Sequence, residues 1–146
     1  PQLKSDCAPV NGLMERMVKS GAEIKFMRDP TRGGLAAVLN EIAEGRDWGI
    51  GIEERSVPVH PRVRAAAEIL GLDPLVLAGE GRIVAVAADR DARRLVAAMR
   101  SHPLGKQAAV IGGIVRGHPG LVSLRTRAGG ERVMDWPRGG DLPRIC

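Results

Sequence analysis

Three strand-like stretches close this chain with no helix between them: "AAVIGGIVRG" at 108–117, "GLVSLRT" at 120–126 and "GERVMDW" at 130–136, joined by glycine-rich turns. Strands that follow one another this closely, after an irregular series of helices and strands, suggest a largely antiparallel sheet rather than a regular alternation of strand and helix. Upstream, the hydrophobic period switches repeatedly. "VNGLMERMVKSG" sets Val10, Leu13, Met14, Met17 and Val18 at helical spacing and closes on Gly21; "EIKFM" is a short strand. "TRGGLAAVLNEIAEG" puts Leu35, Val38, Leu39 and Ile42 on one helical face, with Thr31 as candidate N-cap. "WGIGIEERSV" alternates as a half-buried strand, "PRVRAAAEILGL" is a helix opened by Pro61, "GRIVAVAA" is a strand apolar on both faces, and "DRDARRLVAAMRSHPLG" is a fourth helix. The pattern predicts an α+β fold: a mainly antiparallel sheet with helices stacked on it.

The chain has 146 residues, 44% of them hydrophobic, enough for one domain with its own core. It starts at Pro1 without a leader-like segment, and no run approaches a membrane span of roughly 18 apolar residues, so we read a soluble, cytoplasmic piece of something longer. Net charge is +5, yet the arginines are dispersed and the aromatics are Phe26, Trp48 and Trp136 alone, too few for the stacking platforms of a nucleic-acid binder. Cys7 and Cys146 stand nearly a chain length apart, as in a reducing compartment rather than a disulfide framework. His60, His102 and His118 each precede a proline, in dipeptides that read as turns or helix starts rather than metal ligands.

Three stretches carry candidate chemistry. In "RDPTRGGLA", Arg28 to Ala36, Gly33 and Gly34 open a helix whose first N–H groups would suit a phosphate; Arg32 would add a forked donor and Asp29 a hard oxygen for magnesium. A tight turn with a helix cap accounts for the same residues. In "LAGEGRIV", Glu80 stands between two glycines, open to a ligand and suited to act as a base; a solvated loop glutamate is the plainer alternative. The third is the end of the chain, "PRGGDLPRIC", residues 137–146, which has no periodicity and, at about 3.3 Å per residue, could extend on the order of 33 Å. Its last residue is a thiol, and an arm of this composition leaves Cys146 exposed as a nucleophile, with Cys7 expected to react more slowly.

Taken together, "SDCAP", "MRDPTRGGLAAVLNEIA", "GEGRIV" and the closing "PRIC" resemble the C-terminal domain of the HypE family, hydrogenase maturation proteins that act as carbamoyl dehydratases within the AIR synthetase superfamily. "DPTRGGLA" places the chain only in the superfamily; the terminal "PRIC" is specific to this family. The resemblance implies an AIR-synthetase-like C-terminal domain over 1–136 and a flexible tail over 137–146. It implies that Cys146 receives a carbamoyl group from the carbamoyltransferase HypF, that ATP with Mg2+ drives dehydration to a thiocyanate, and that the nitrile passes to a HypC–HypD iron scaffold for [NiFe] hydrogenase. It further implies Glu80 as the base, and Asp29, Thr31, Arg32, Gly33 and Gly34 as a wall facing the nucleotide phosphates. The family's N-terminal half, with most of the ATP site and the homodimer contact, has no counterpart in these residues. Other ATP-dependent enzymes of the superfamily, such as selenophosphate synthetase or thiamine phosphate kinase, need no terminal cysteine; a docking module without chemistry is the alternative from another class.

Overall fold

The computed structural model describes residues 5–137, so Cys146 and all but the first residue of the expected tail lie outside it. In chain order the elements are α1 (Asn11–Lys19), β1 (Ile24–Arg28), α2 (Gly34–Ala43), β2 (Gly49–Glu53), α3 (Pro61–Leu70), β3 (Val84–Ala87), α4 (Ala92–Arg100), β4 (Gly112–Val115), β5 (Val122–Arg125) and β6 (Glu131–Val133). The α+β class expected from the periodicity holds, with two refinements. The strands form two sheets, a β1–β3 pair and a four-stranded sheet in the order β4-β2-β5-β6. Of the pairings only β2 with β5 is parallel.

Each sheet follows from its side chains. On β2 and β5, Ile50 stands opposite Val122 and Ile52 opposite Leu124, all four buried, so the centre of the larger sheet is an aliphatic ladder. Helix α2 covers it. Its Ala36 and Ala43 bring the helix close, while Val38 and Leu39 reach the ladder. The smaller sheet serves two cores, which is why "RIVAVAA" is apolar on both faces. Phe26 and Val84 join the α2 core; Ile24, Met27, Ile83, Ala85 and Ala87 join a second core built on Leu13 and Met17 of α1 and Leu95 of α4. Met17 is completely buried, and truncating such a side chain to alanine typically costs about 2–5 kcal/mol.

The helix ends obey local rules. Ser20 caps α1 and Gly21 follows at φ 68°, the left-handed position that releases the chain. His60 accepts the Arg62 N–H through Nδ1 and His102 accepts that of Leu104 in the same way, so two of the three histidine-proline dipeptides are helix caps. The long fourth helix of the sequence pattern divides: a 3-10 turn at Asp89–Asp91, then α4, then a second 3-10 turn at Pro103–Gly105, because Pro103 cannot continue the helical hydrogen bonding.

Buried Asp91 ties α4 to β1. Its carboxylate accepts the Glu23 N–H at 2.9 Å and an Arg94 N–H at 2.5 Å. The backbone hydrogen bond first, and the Arg94 guanidinium with it, hold the carboxyl below its ordinary value of 3.8. A depressed native pKa stabilises the fold above the unfolded pKa and loses that contribution as pH falls through the native one. Asp91→Asn is therefore expected to be less stable than the parent at pH 7, with the gap closing below pH 3.8; urea denaturation of both proteins at pH 7 and pH 3 checks this. An equal gap at both pH values would assign Asp91 a packing role without charge.

Candidate functional site

Two of the three stretches singled out, the "DPTRGG" turn and the "GEGR" loop, meet on one side of the domain together with the "SDCAP" segment; Cys146 lies outside the described residues. Pro30 is buried, and its carbonyl accepts the Gly79 N–H at 2.8 Å, which pins the "AGEG" loop to the "DPTRGG" turn. From the other direction the backbone of Asp6 to Ala8 runs over Gly81 so closely that a Cβ there would lie 1.7 Å from the Asp6 carbonyl oxygen. Arg82 completes the clasp, with Nη2 at 3.2 Å from Asp6 Oδ2, an oxygen shielded from water that makes no hydrogen bond. Glu80 is thus held between two immobilised glycines while its own side chain stays exposed. Cys7 lies on the segment crossing this loop and is exposed, so burial gives no ground for the slow alkylation expected of it.

The turn before α2 departs from expectation in its hydrogen bonding. Gly33 rather than Thr31 is the N-cap, and no side chain caps the helix; Thr31 is half-buried. Gly33 and Gly34 take φ values of 80° and 60° in succession, a conformation open to glycine alone at low cost. The fold requires it at Gly34, where a Cβ would meet the Leu77 carbonyl oxygen at 2.5 Å and that of Leu75 at 2.8 Å. Three of the helix's first N–H groups are also taken up within the chain. Gly34 N–H goes to the Thr31 carbonyl, Ala36 N–H to Leu75 and Ala37 N–H to Gly33. An anion at this turn would meet chiefly Arg32, which is exposed and has no ion-pair partner among the described residues; Asp29 is likewise exposed and without one. Arg28 instead pairs with Glu41 on α2.

Where the chain leaves the described region is also determined. Asn40, 6% exposed within the apolar face of α2, donates from Nδ2 to the carbonyls of Ala36 and Met134, each at 2.9 Å, while Met134 N–H returns to Val122. Three residues later Pro137 lies against Gly33, its Cγ 3.2 Å from where a Cβ would sit. The expected arm therefore starts beside the "DPTRGG" turn. Asn40, Asp6 and Arg82 were not among the residues singled out from sequence. A lone amide in the apolar run "LAAVLNEIA" was the available signal for Asn40; nothing local marks an ion pair between positions 6 and 82. Among the described residues no three His, Cys, Asp or Glu side chains gather as a metal site. A single exposed carboxylate such as Asp29 still fits the way Mg2+ is held, by one or two carboxylates together with phosphate oxygens.

The model of the family described as AIR synthase related protein, C-terminal domain, matches residues 2–123. The carbamoyl dehydratase HypE of Bradyrhizobium diazoefficiens is 50% identical over 146 residues, which cover 99% of this chain and 42% of that protein. The HypE of Escherichia coli K12 is 41% identical over 145 residues, again 99% of this chain and 42% of the relative. The crystal structure of E. coli HypE superposes with a TM-score of 0.89 at 42% identity, covering all of this chain and 44% of that one. A HypE crystallised in complex with ATP gives 0.88 at 39% identity, covering 97% of this chain and 44% of that one. The chain thus spans less than half the length of the relatives it matches.

The Gly34 contact generates a stability prediction. Replacing a left-handed glycine by alanine costs about 1–3 kcal/mol through backbone strain alone, and at Gly21, where the space is open, nothing is added. Gly34→Ala is expected to exceed Gly21→Ala by at least about 2 kcal/mol, because a methyl group against two carbonyls also breaks the Ala36 to Leu75 hydrogen bond. Chemical denaturation of the two variants decides it.

Proposed function

The chain belongs to the AIR synthase related family by its C-terminal domain, and from that membership we propose that it is the acceptor and dehydration part of a HypE-type carbamoyl dehydratase. The observation that supports this most is convergence: the "SDC" segment, the "DPTRGG" turn, the "GEGR" loop and the root of the terminal arm occupy one side of the domain. From Pro137, residues 138–146 can reach on the order of 30 Å at about 3.3 Å each. That is enough for Cys146 to visit a partner and return to Glu80.

In this proposal the Cys146 thiolate attacks the carbonyl carbon of a carbamoyl donor, the bond from that carbon to the donor's leaving oxygen breaks, and the sulfur carries the group as a thiocarbamate. Hydroxide is a poor leaving group from carbon, so the carbamoyl oxygen first takes the γ-phosphoryl group of ATP, releasing ADP. Glu80 then removes N–H protons as the oxygen departs with phosphate, and the carbon–nitrogen triple bond of a thiocyanate forms. Arg32, with its planar fork, holds phosphate oxygens; Thr31, Gly33 and Gly34 shape the wall beside it, and Asp29 is the residue that would hold Mg2+. The ion, when bound, neutralises phosphate charge.

A HypE has been crystallised with HypF, and a HypF-type carbamoyltransferase is accordingly the proposed donor, with a HypC–HypD iron scaffold receiving the nitrile. The full-length protein is proposed to be a cytoplasmic homodimer joined through its N-terminal domain. Among the described residues no helix is long and apolar enough to cross a membrane.

Two experiments follow. In full-length protein supplied with carbamoyltransferase, carbamoyl phosphate and ATP, Glu80→Gln is expected to accumulate the S-carbamoyl adduct on Cys146, with thiocyanate formation slowed about a hundredfold or more. Intact-mass spectrometry distinguishes the two adducts, and normal cyanation would remove Glu80 from the chemistry. The 146 residues alone, which offer one wall of the nucleotide site, are expected to release no phosphate from Mg-ATP above background. Turnover by this chain in isolation would place the nucleotide site elsewhere.

A further inference from the structure

The 3-10 turn at Asp89–Asp91 and helix α4 after it divide their arginines between two sides. Arg90 pairs with Glu23 at 2.7 Å and Arg94 with Asp91 at 2.5 Å, so that side is neutralised. Arg93 and Arg100, seven residues apart and hence on a common face, have no ion-pair partner among the described residues. Between them Val96 and Ala97 line an open groove of about 500 Å³ together with Ser56, Ala109 and Val110. No carboxylate lines it. Arg100 is already oriented: its Nε donates to the Ala108 carbonyl at 2.8 Å, which fixes the plane of the guanidinium and leaves its remaining N–H groups free. Val110 in the groove is 54% exposed.

We propose that this groove docks an extended acidic–apolar segment of a partner protein, with one carboxylate on Arg93, a second on Arg100 and apolar side chains between them. Charge complementarity selects the occupant. Two unneutralised guanidiniums flank apolar side chains, and seven helical residues separate their Cα atoms by about 10 Å along the axis. In polyproline II, residues i and i+3 share a face about 9 Å apart, so two acidic residues with that spacing match the two arginines without bending the peptide. A β-strand would point residues i and i+3 to opposite sides and fit less well. The preset Arg100 fork lowers the ordering cost of binding. No aromatic side chain lines the groove for a nucleic acid to stack on.

The test uses full-length protein and a capped peptide whose core is glutamate-proline-valine-glutamate, with the glutamine-for-glutamate peptide as control. Amide shifts in NMR titration are expected to concentrate at 93–100 and 109–110. Arg93→Gln and Arg100→Gln should each weaken binding about tenfold, the loss of one charge-assisted hydrogen bond, with Tm unchanged for Arg93→Gln. The control peptide should bind at least as weakly as the variants. Equal binding of both peptides, shifts elsewhere on the protein, or groove amides already protected in the free full-length protein would overturn the proposal, the last because the rest of the chain would then occupy the groove. So would tighter binding to anionic phosphatidylserine vesicles or to single-stranded RNA through the same two arginines.

Discussion

Two consecutive glycines in left-handed conformation, Gly33 and Gly34, set the geometry on which the candidate site depends. Absence of a side chain at Gly34 lets the 75–77 loop bring its carbonyls against the start of α2, and Ala36 N–H then binds Leu75. With that loop in place, Gly79 reaches the Pro30 carbonyl and Glu80 is delivered to the same side as Arg32. Absence of a side chain at Gly33 leaves the space in which Pro137 lies. One backbone conformation therefore positions the turn, the glutamate loop and the root of the terminal arm.

Around this point the two cores give the site a rigid base. The β1–β3 pair is shared between them, and both of its strands run straight into the site: β1 ends at Arg28, just before Asp29, and β3 begins at Val84, just after the "GEGR" loop. Side chains on opposite faces of two strands cannot shift without disturbing one core or the other, since interiors are packed to crystal-like density. The loops that carry Asp29 and Glu80 are thus short extensions of a sheet held on both sides.

Much of this was legible in the residues, and the physical reason is locality. Helix faces, the glycines that end α1 and α2 and the histidine-proline caps depend on neighbours within one or two turns, which a sequence window contains. Long-range pairing is not of that kind. The parallel β2–β5 contact joins residues 50–53 to 122–125 across α3, β3, α4 and β4, and alternating isoleucines in "GIGIE" are compatible with any neighbour. The same limit explains the site. Glycine-rich "TRGG" announces a special backbone, but whether its N–H groups face a ligand or a neighbouring loop depends on residues 75–77, forty positions away. The charged clasp of Asp6 on Arg82 and the two-carbonyl grip of Asn40 are of the same long-range type.

That grip bears on how a carrier arm would work. An acceptor thiol on a flexible chain reaches a partner and the dehydration site by intramolecular search, and its effective concentration at either depends on arm length and on where the arm is tethered. Tethering at Met134 by Asn40 and at Pro137 by contact with Gly33 puts the origin of the search beside the turn that carries Arg32. If residues 138–146 act as the proposed arm, nine residues would suffice to carry the thiol to a partner while keeping its local concentration in the millimolar range typical of short linkers. A longer arm would reach further but dilute the thiol at the phosphate-facing wall, and a shorter one would keep it near Glu80 at the expense of exchange with a donor. Under the proposed function, the buried amide on α2 would act on that chemistry at a distance, by determining where the arm begins.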